Sequence, residues 1–254
     1  RNFGRNFGRN FGGVFDEEAK TQLGTMLLHP NQRIAKVLSL VCKSKDNCIA
    51  LGTYDTMIYN FFNDFTDLSL IDTPNTKRIG NPSANGFIWS LPFTKDGFTA
   101  YAVLKCSIKN MADNLFYEYY VGKHFINKYT KKFPCFVETY DSYRLANDKW
   151  EELRDRPDNV SCVQGFVKNE WNANPWPNSC IDSKTLAVLI QHFDSDHFTS
   201  IAELRQNNYA NIEGDIFMLC YQALFALSTL GSNYTHYDLH GKNVFCYKPY
   251  DGNN

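Results

Sequence analysis

The segment THYDLHGKNVFCY, residues 235–247, decides how the rest of this chain is interpreted. Within it, His236, Asp238, Leu239 and Asn243 stand at the spacing H-x-D-L-x-x-x-N. The carboxylate of Asp238 and the amide of Asn243 lie five residues apart, so one short loop can present both groups to the same reacting centre. A chance His-x-Asp in a surface turn is the alternative, and the elements on either side of the loop argue against it.

A helix precedes the loop and a strand comes after it. IEGDIFMLCYQALFALSTL, residues 212–230, has apolar residues at steps of three and four, which is typical of one face of a helix. That face consists of Ile212, Ile216, Cys220, Ala223, Leu227 and Leu230. Gly231 is a C-terminal stop signal. VFCY, residues 244–247, is strand-like, and we expect its partner strand to be missing from this chain.

The region before the helix alternates between strand and helix patterns. Apolar alternation, turn residues and helix-length runs predict an order of hairpin, strand, helix, strand, insertion and buried strand. The corresponding segments are KRIGNPSANGFIWSLPF (77–93), FTAYAVLKCSI (98–108), NLFYEYYVGKHFINKY (114–129), FVETYDSY (136–143), an insertion at about 144–183 with a short helix near DKWEELRD (148–155), and LAVLIQHF (186–193).

Two further segments precede this region. Residues 1–13 contain three copies of Arg-Asn-Phe-Gly and have no period that could build a core, so a flexible tail is expected. Residues 14–76 are predicted to form a helical N-terminal extension that packs on the region beginning at Lys77. Helical patterns occur there in AKTQLGTMLL, RIAKVLSLVC and DTMIYNFFNDF.

With these elements in order, the chain resembles the protein kinase superfamily over residues 77–248. NPSANGFI, YEYYVG and HYDLHGKNV make it most similar to the divergent kinase-like proteins of large DNA viruses. The resemblance implies an α+β fold of two lobes. The small lobe, residues 77–193, would hold an antiparallel sheet and one helix, and the large lobe would begin at 194–254 and be incomplete.

The resemblance also implies the roles of the central residues. Asp238 would be the catalytic base, Asn243 would hold Mg²⁺, and His236 would orient the loop backbone. Lys105, in a strand similar to V-A-I-K, would bind the ATP phosphates, with Glu118 as its ion-pair partner. The alternative for Lys105 is the solvated face of an edge strand. The alternative carboxylate, Asp113, is placed as a helix N-cap.

The nucleotide-binding elements are matched less closely. The pattern G-x-G-x-x-G-x-V aligns with Asn81, Ser83, Gly86 and Ile88, so only the last glycine is kept. Backbone N–H groups of such a turn can still bind phosphate. At the end of the buried strand, Gln191, His192 and Phe193 would form the hinge beside the adenine.

Several departures keep other functions open. Tyr237 replaces the usual arginine, which argues against phospho-activation, and His240 replaces the usual lysine, as in many small-molecule kinases. The Asp-Phe-Gly metal motif is absent, since Asp251-Gly252 comes too early and belongs to a turn. The main hypothesis is an ATP-Mg-dependent, Ser/Thr-type protein phosphotransferase of which this chain would be an incomplete part, so activity is expected of the longer parent protein rather than of this chain alone. The alternatives are a small-molecule kinase of the same fold and a non-catalytic, kinase-like virion structural or interaction protein.

Composition limits partners and location. The 26 basic and 27 acidic residues leave a formal charge of −1, so no strong nucleic-acid signal is present. The sequence contains no run of ~20 apolar residues, so no membrane span is predicted. The eight cysteines are scattered without a C-x-x-C pair, which argues against zinc and favours free thiols in a reducing, intracellular location such as host cytoplasm or a virion. Expected partners are a protein substrate, virion proteins, or another chain that covers the incomplete large lobe.

Overall fold

The computed structural model describes residues 29–42, 49, 54–130, 132–155, 160–169, 180, 183–195, 198–206 and 212–247. The predicted Arg-Asn-Phe-Gly tail, the helix AKTQLGTMLL and the turn around Asp251 lie outside these residues. The described part is an α+β structure, as predicted.

Seven α-helices and eight strands are described. The helices are α1 (Pro30–Val41), α2 (Asp55–Phe61), α3 (Asn114–Val121), α4 (Asn127–Thr130), α5 (Asn147–Asp155), α6 (Ile201–Gln206) and α7 (Ile212–Leu230). A π-helical turn, Gly122–Ile126, joins α3 to α4. The strands are β1 (Lys77–Ile79), β2 (Gly86–Lys95), β3 (Phe98–Ser107), β4 (Thr139–Arg144), β5 (Val167–Lys168), β6 (Leu186–Gln191), β7 (Phe198–Ser200) and β8 (Phe245–Tyr247).

Six strands form one antiparallel sheet in the order β1-β2-β3-β6-β4-β5. The register pairs Lys105 with Val188, and Leu104 with Leu189, so the two members of each pair share a face. We call the side of Lys105 and Val188 the helix face, because α3 lies on it, and the side of Leu104 and Leu189 the extension face. Since β3 lies between β2 and β6, the alternative that placed Lys105 on an edge strand is wrong.

The extension face carries the largest hydrophobic core. Side chains of β2 and β3 on this face are joined by aromatic side chains from α2 and the turn after it, with Leu38 of α1. Phe62 and Phe65 are fully buried, and the Phe65 ring stacks on Tyr140 with centroids 4.8 Å apart. The helical extension is therefore part of the core that supports the sheet.

A tight turn after α2 seats Phe65 in this core. Asn63, Asp64 and Phe65 all have positive φ angles, of 51°, 52° and 59°. Left-handed backbone costs a non-glycine residue roughly 1–2 kcal/mol. Burial of the Phe65 ring offsets that cost, and the same turn directs the chain around Asp64 toward the surface.

The second sheet corrects one prediction. β8, the VFCY segment, pairs antiparallel with β7, with Phe245 opposite Ser200. The expectation that its partner strand is missing is therefore wrong. β7 escaped notice because it is only three residues long and two of them are Thr199 and Ser200, which are also common in loops.

The apolar surface of α7 is largely exposed. Its solvent-facing side carries Phe217 (82% exposed), Met218, Tyr221, Leu224 and Phe225. Within the predicted face, Leu230 is buried but Cys220 is exposed. Among the described helices, the stretch Ile216–Asn233 has the length and apolarity of a membrane span, a criterion that core helices of soluble proteins also meet. This is weak evidence, and no strong membrane span is indicated there.

The cysteines depart in part from the expectation. Cys106, Cys135, Cys180, Cys220 and Cys246 are free thiols. Cys42 is disulfide-bonded, which departs from the expectation of free thiols. Burial raises the pKa of the Cys106 thiol, so that group behaves as a small apolar side chain.

Candidate functional site

An ion pair joins the central strand to the helix on the helix face. The Nζ atom of Lys105 on β3 donates to Oε1 of Glu118 on α3. The Lys105 side chain is 30% exposed and that of Glu118 is 44% exposed, so both charged ends reach solvent while β3 itself is internal. The pair that the sequence predicted at a separation of thirteen residues is thus formed.

The competing carboxylate does not take this place. Asp113 occupies the N-cap position of α3, as predicted, although its side chain makes no capping hydrogen bond. Its backbone oxygen accepts from the N–H of Tyr117 at 2.7 Å, which starts the helix. Phe116 and Tyr119 anchor the buried side of α3. Glu118 is left on the open side, facing Lys105.

Gly122 sets the distance between this helix and the sheet. A Cβ atom at Gly122 would stand 2.1 Å from Oγ1 and 3.0 Å from Cβ of Thr139, at the start of β4. Real contacts are never so short, so only glycine permits this approach. Close packing of this turn on β4 therefore depends on glycine at position 122.

We expect Gly122→Ala to lower the free energy of unfolding by about 1–3 kcal/mol, as overpacked positions typically do. The change should destabilise the folded protein even though alanine is favoured over glycine by about 1 kcal/mol within helices. Urea unfolding measures it. Thr139→Ala in the same chain should recover part of the loss, and coupling near zero in this double-mutant cycle would contradict the proposed contact.

Asp238 and Asn243 meet in the predicted loop between α7 and β8. The Nδ2 atom of Asn243 donates to Oδ2 of Asp238 at 2.8 Å and to its backbone oxygen at 3.0 Å. Nε2 of His240 lies 3.5 Å from Oδ1 of Asp238. The Asp238 side chain is 76% exposed, so its carboxylate is accessible to a substrate. We call Asp238, His240 and Asn243 the loop cluster.

Backbone contacts hold the loop cluster against the start of the second sheet. The N–H of Ala202 donates to the Gly241 oxygen, and the N–H of Ile201 to the Val244 oxygen, both at 3.0 Å. These bonds fix both sides of Asn243 to the N-terminal end of α6. The β7–β8 pair, which the sequence did not reveal, therefore positions the predicted loop.

Tyr234 connects the loop segment with the helix of Glu118. Its ring stacks on Phe125, just beyond α3, with centroids 5.9 Å apart, and it meets the His236 ring edge-on at 6.2 Å. Burial raises the pKa of the Tyr234 hydroxyl, and the neighbouring Tyr117 and Glu118 add to this effect. His236 is half-buried and contacts this ring. Tyr234 was missed because a single aromatic residue carries no motif.

The predicted phosphate turn is closed on itself. Oγ of Ser83 accepts from the N–H groups of Asn85 and Gly86, both at 3.2 Å, and the Ser83 N–H donates to the Gly86 oxygen at 2.8 Å. A Cβ atom at Gly86 would lie 2.0 Å from the Cys106 oxygen, so glycine is required there. Ile88 pairs with Lys105 across the strands and so shares its face. The amides expected to bind phosphate are bonded to Ser83.

The predicted hinge residues divide between two environments. Gln191 is 5% exposed and pairs with Ala102 on the extension face, with its N–H donating to the Glu138 oxygen at 2.9 Å. His192 contacts the Tyr101 ring, and Phe193 packs on Phe198 with centroids 4.7 Å apart. Of the three, Gln191 is thus turned toward the extension face, and Phe193 links the two sheets.

The candidate metal ligand in this site is the amide oxygen of Asn243. Asn243 uses its Nδ2 in the bonds to Asp238, so its amide oxygen is not engaged in them, and oxygen ligands of this kind suit Mg²⁺. Within the part of the chain that is described, no three His, Cys, Asp or Glu side chains converge as a metal cluster. The residues present therefore fit part of a magnesium site.

Comparisons with protein-family models, curated proteins and solved structures found no match for this chain.

Proposed function

We propose that the chain belongs to an ATP-Mg-dependent phosphotransferase of the protein-kinase type that phosphorylates a protein hydroxyl. The observation that carries the proposal is the ion pair between Lys105 on an internal strand and Glu118 on the helix. An ammonium held by a helix carboxylate beside a glycine-containing turn is suited to bind the α- and β-phosphates. The small lobe would then be the sheet with α3, and the large lobe would begin after Phe193.

The loop cluster supplies the remaining chemistry of the proposal. Asp238, with an exposed carboxylate, would accept the proton of the attacking hydroxyl. Asn243 would offer its amide oxygen to Mg²⁺, which neutralises developing charge on the phosphates when it is bound. The hydrogen bond from Asn243 to Asp238 holds the two side chains next to each other.

Lys105→Ala is expected to weaken Mg-ATP binding by about tenfold to a hundredfold, because a hydrogen bond to a charged group contributes roughly 1.5–3 kcal/mol. Isothermal titration calorimetry and the thermal shift with Mg-ATP measure it. Lys184→Ala is the matched control, since Lys184 is also 30% exposed and also paired with a glutamate, Glu151. If the two variants bound Mg-ATP with equal affinity, Lys105 would not be part of the nucleotide site.

A small-molecule substrate is the second candidate, and the position of His240 favours it. Its imidazole lies beside the Asp238 carboxylate, where a lysine is usual in Ser/Thr protein kinases. Incubation with labelled ATP and with separate protein and metabolite pools distinguishes a protein substrate from a small-molecule substrate. Label in protein alone would contradict the small-molecule function.

A non-catalytic role in a virion or another assembly is the third candidate. The turn closed by Ser83 and the apolar surface of α7 favour it. Exposed apolar patches often mark interaction sites, so a further polypeptide chain over α7 is part of this proposal and of the catalytic one. Absence of any Mg-ATP thermal shift in a polypeptide that contains these residues would favour this role over catalysis.

A further inference from the structure

A cavity of about 370 Å³ lies on the extension face, away from the candidate phosphate site. Its described lining comes from Ile49, α2, the turn after α2, residues 123–130 and 134–140, and Gln191 at the end of β6. Gln191 shares its face with Ala102 and Leu104, whereas Lys105 points to the opposite face. The cavity is within the size range of small-molecule sites.

The charged groups of this cavity are mainly carboxylates. Among the described residues that line it, Asp55, Asp64 and Glu138 are acidic and Lys123 supplies an ammonium. The Lys123 Nζ donates to the backbone oxygen of Tyr140, so its hydrogen-bonding capacity is partly used within the wall. A low-dielectric wall with this charge excess attracts cations.

The three carboxylates do not converge on one metal site. Among the described residues, no group of three His, Cys, Asp or Glu side chains is placed to hold a metal ion. Asp55 begins α2, Asp64 comes just after that helix, and Glu138 precedes β4, so each acid comes from a different part of the wall. Separate acidic points match a ligand with separate positive charges better than a single divalent ion.

The rest of the lining suits methylene groups and N–H donors. Ile49, Pro134 and Phe136 supply apolar surface, while Thr56 and Thr130 carry hydroxyl groups. An ammonium has three donors and no acceptor, which complements carboxylate and hydroxyl oxygens. Alkyl stems of amines pack on apolar side chains while the charged ends reach polar groups.

Glu138 is held in place before any ligand arrives. The Tyr59 hydroxyl donates to its Oε2 at 2.5 Å, and the Gln191 Oε1 accepts from the Glu138 N–H at 3.2 Å. Burial raises the pKa of Tyr59, with the charges of Tyr140 and Glu138 adding to this, so the hydroxyl keeps its proton and remains a donor. A preorganised carboxylate loses less entropy when it binds.

We propose that this cavity is a binding site for a short aliphatic polyamine, with its ammonium groups at Asp55, Asp64 and Glu138 and its methylene groups on Phe136 and Pro134. The site lies on the opposite face of the sheet from Lys105, shares Gln191 with the residues of the proposed hinge, and does not depend on the proposed function. Because Gln191 precedes His192 and Phe193, the ligand would contact the strand that leads into the proposed hinge.

Isothermal titration calorimetry of spermidine with the nucleotide-free protein, at fixed low salt, tests this proposal. Asp64→Asn and Glu138→Gln are each expected to weaken spermidine binding about tenfold, since each removes a charge-assisted contact. Asparagine tolerates the left-handed backbone at position 64, and glutamine retains an acceptor for Tyr59. The urea midpoint of each variant confirms that it is folded.

Asp148→Asn, an exposed acid in the first turn of α5, is the matched control. It should leave spermidine affinity unchanged. Equal loss in all three variants would show counter-ion binding at the surface and overturn the proposal. Full displacement of spermidine by Mg²⁺ at an equal total concentration of positive charge would overturn the proposal as well, because the site would then recognise charge alone. Nucleotide-free conditions keep these outcomes independent of whether the chain transfers phosphate.

Discussion

Replacement of Asp238 with asparagine is expected to lower the rate of phosphoryl transfer by about 10²–10⁴-fold, the usual contribution of a positioned general base. Asparagine has the same shape, and its side-chain oxygen can still accept the hydrogen bond from Asn243. The variant loses the negative charge and the basicity, while the loop keeps its backbone contacts with α6. The rate should therefore fall without a matching loss of ATP binding.

The measurement combines labelled-phosphate transfer with calorimetry for Mg-ATP on the same preparations. Asp148→Asn, which changes the same charge far from the loop, should retain full transfer. Transfer that is undiminished in Asp238→Asn would refute the role of Asp238. A wild-type polypeptide that contains these residues and a complete large lobe, and that binds Mg-ATP but never transfers phosphate, would exclude catalysis and leave a nucleotide-binding role.

Phe65→Ala is expected to lower the free energy of unfolding by about 3–5 kcal/mol, as loss of a buried aromatic ring commonly does. Phe65 is fully buried, stacks on Tyr140, and meets Phe93 of β2 edge-on with centroids 5.2 Å apart. Because whole domains are stable by only about 5–15 kcal/mol, one such change removes a large part of the total. Urea unfolding followed by fluorescence and circular dichroism measures it.

Phe217→Ala on α7 is the matched control, since that ring is 82% exposed and its removal should change stability by no more than about 0.5 kcal/mol. Both spectroscopic probes should report one transition, because the extension and the sheet share a core. A Phe65→Ala variant as stable as the control would mean that the extension only docks on a sheet that is stable without it.

The parts of the fold that the sequence predicted are those with a strong local period. β2 and β3 are apolar runs of strand length that flank the turn at Asp96-Gly97, and α7 repeats at helical steps, so their type is evident without tertiary information. The loop cluster was also predictable, because its residues are close in the chain. The Lys105–Glu118 pair needed only one strand and the next helix.

The features that escaped prediction depend on distant segments. β5 has two residues and β7 has three, too few for any period, and each forms only because its partner strand is presented to it. The left-handed turn at Asn63–Phe65 contains no glycine, and although Asn63 and Asp64 tolerate this backbone, they occur in many other turns, so the sequence does not specify it. The acidic cavity joins residues more than a hundred positions apart, such as Tyr59 and Gln191, and no linear motif could describe it.

The turn closed by the Ser83 hydroxyl has a consequence for any measured nucleotide affinity. Phosphate can use the N–H groups of Asn85 and Gly86 only after both bonds to Ser83 break. The apparent dissociation constant is then the intrinsic constant divided by the fraction of molecules with an open turn. At an open fraction of about one in ten, binding would be about tenfold weaker than the phosphate contacts themselves provide. Affinity in such a site can be tuned by Ser83 through the stability of the closed turn.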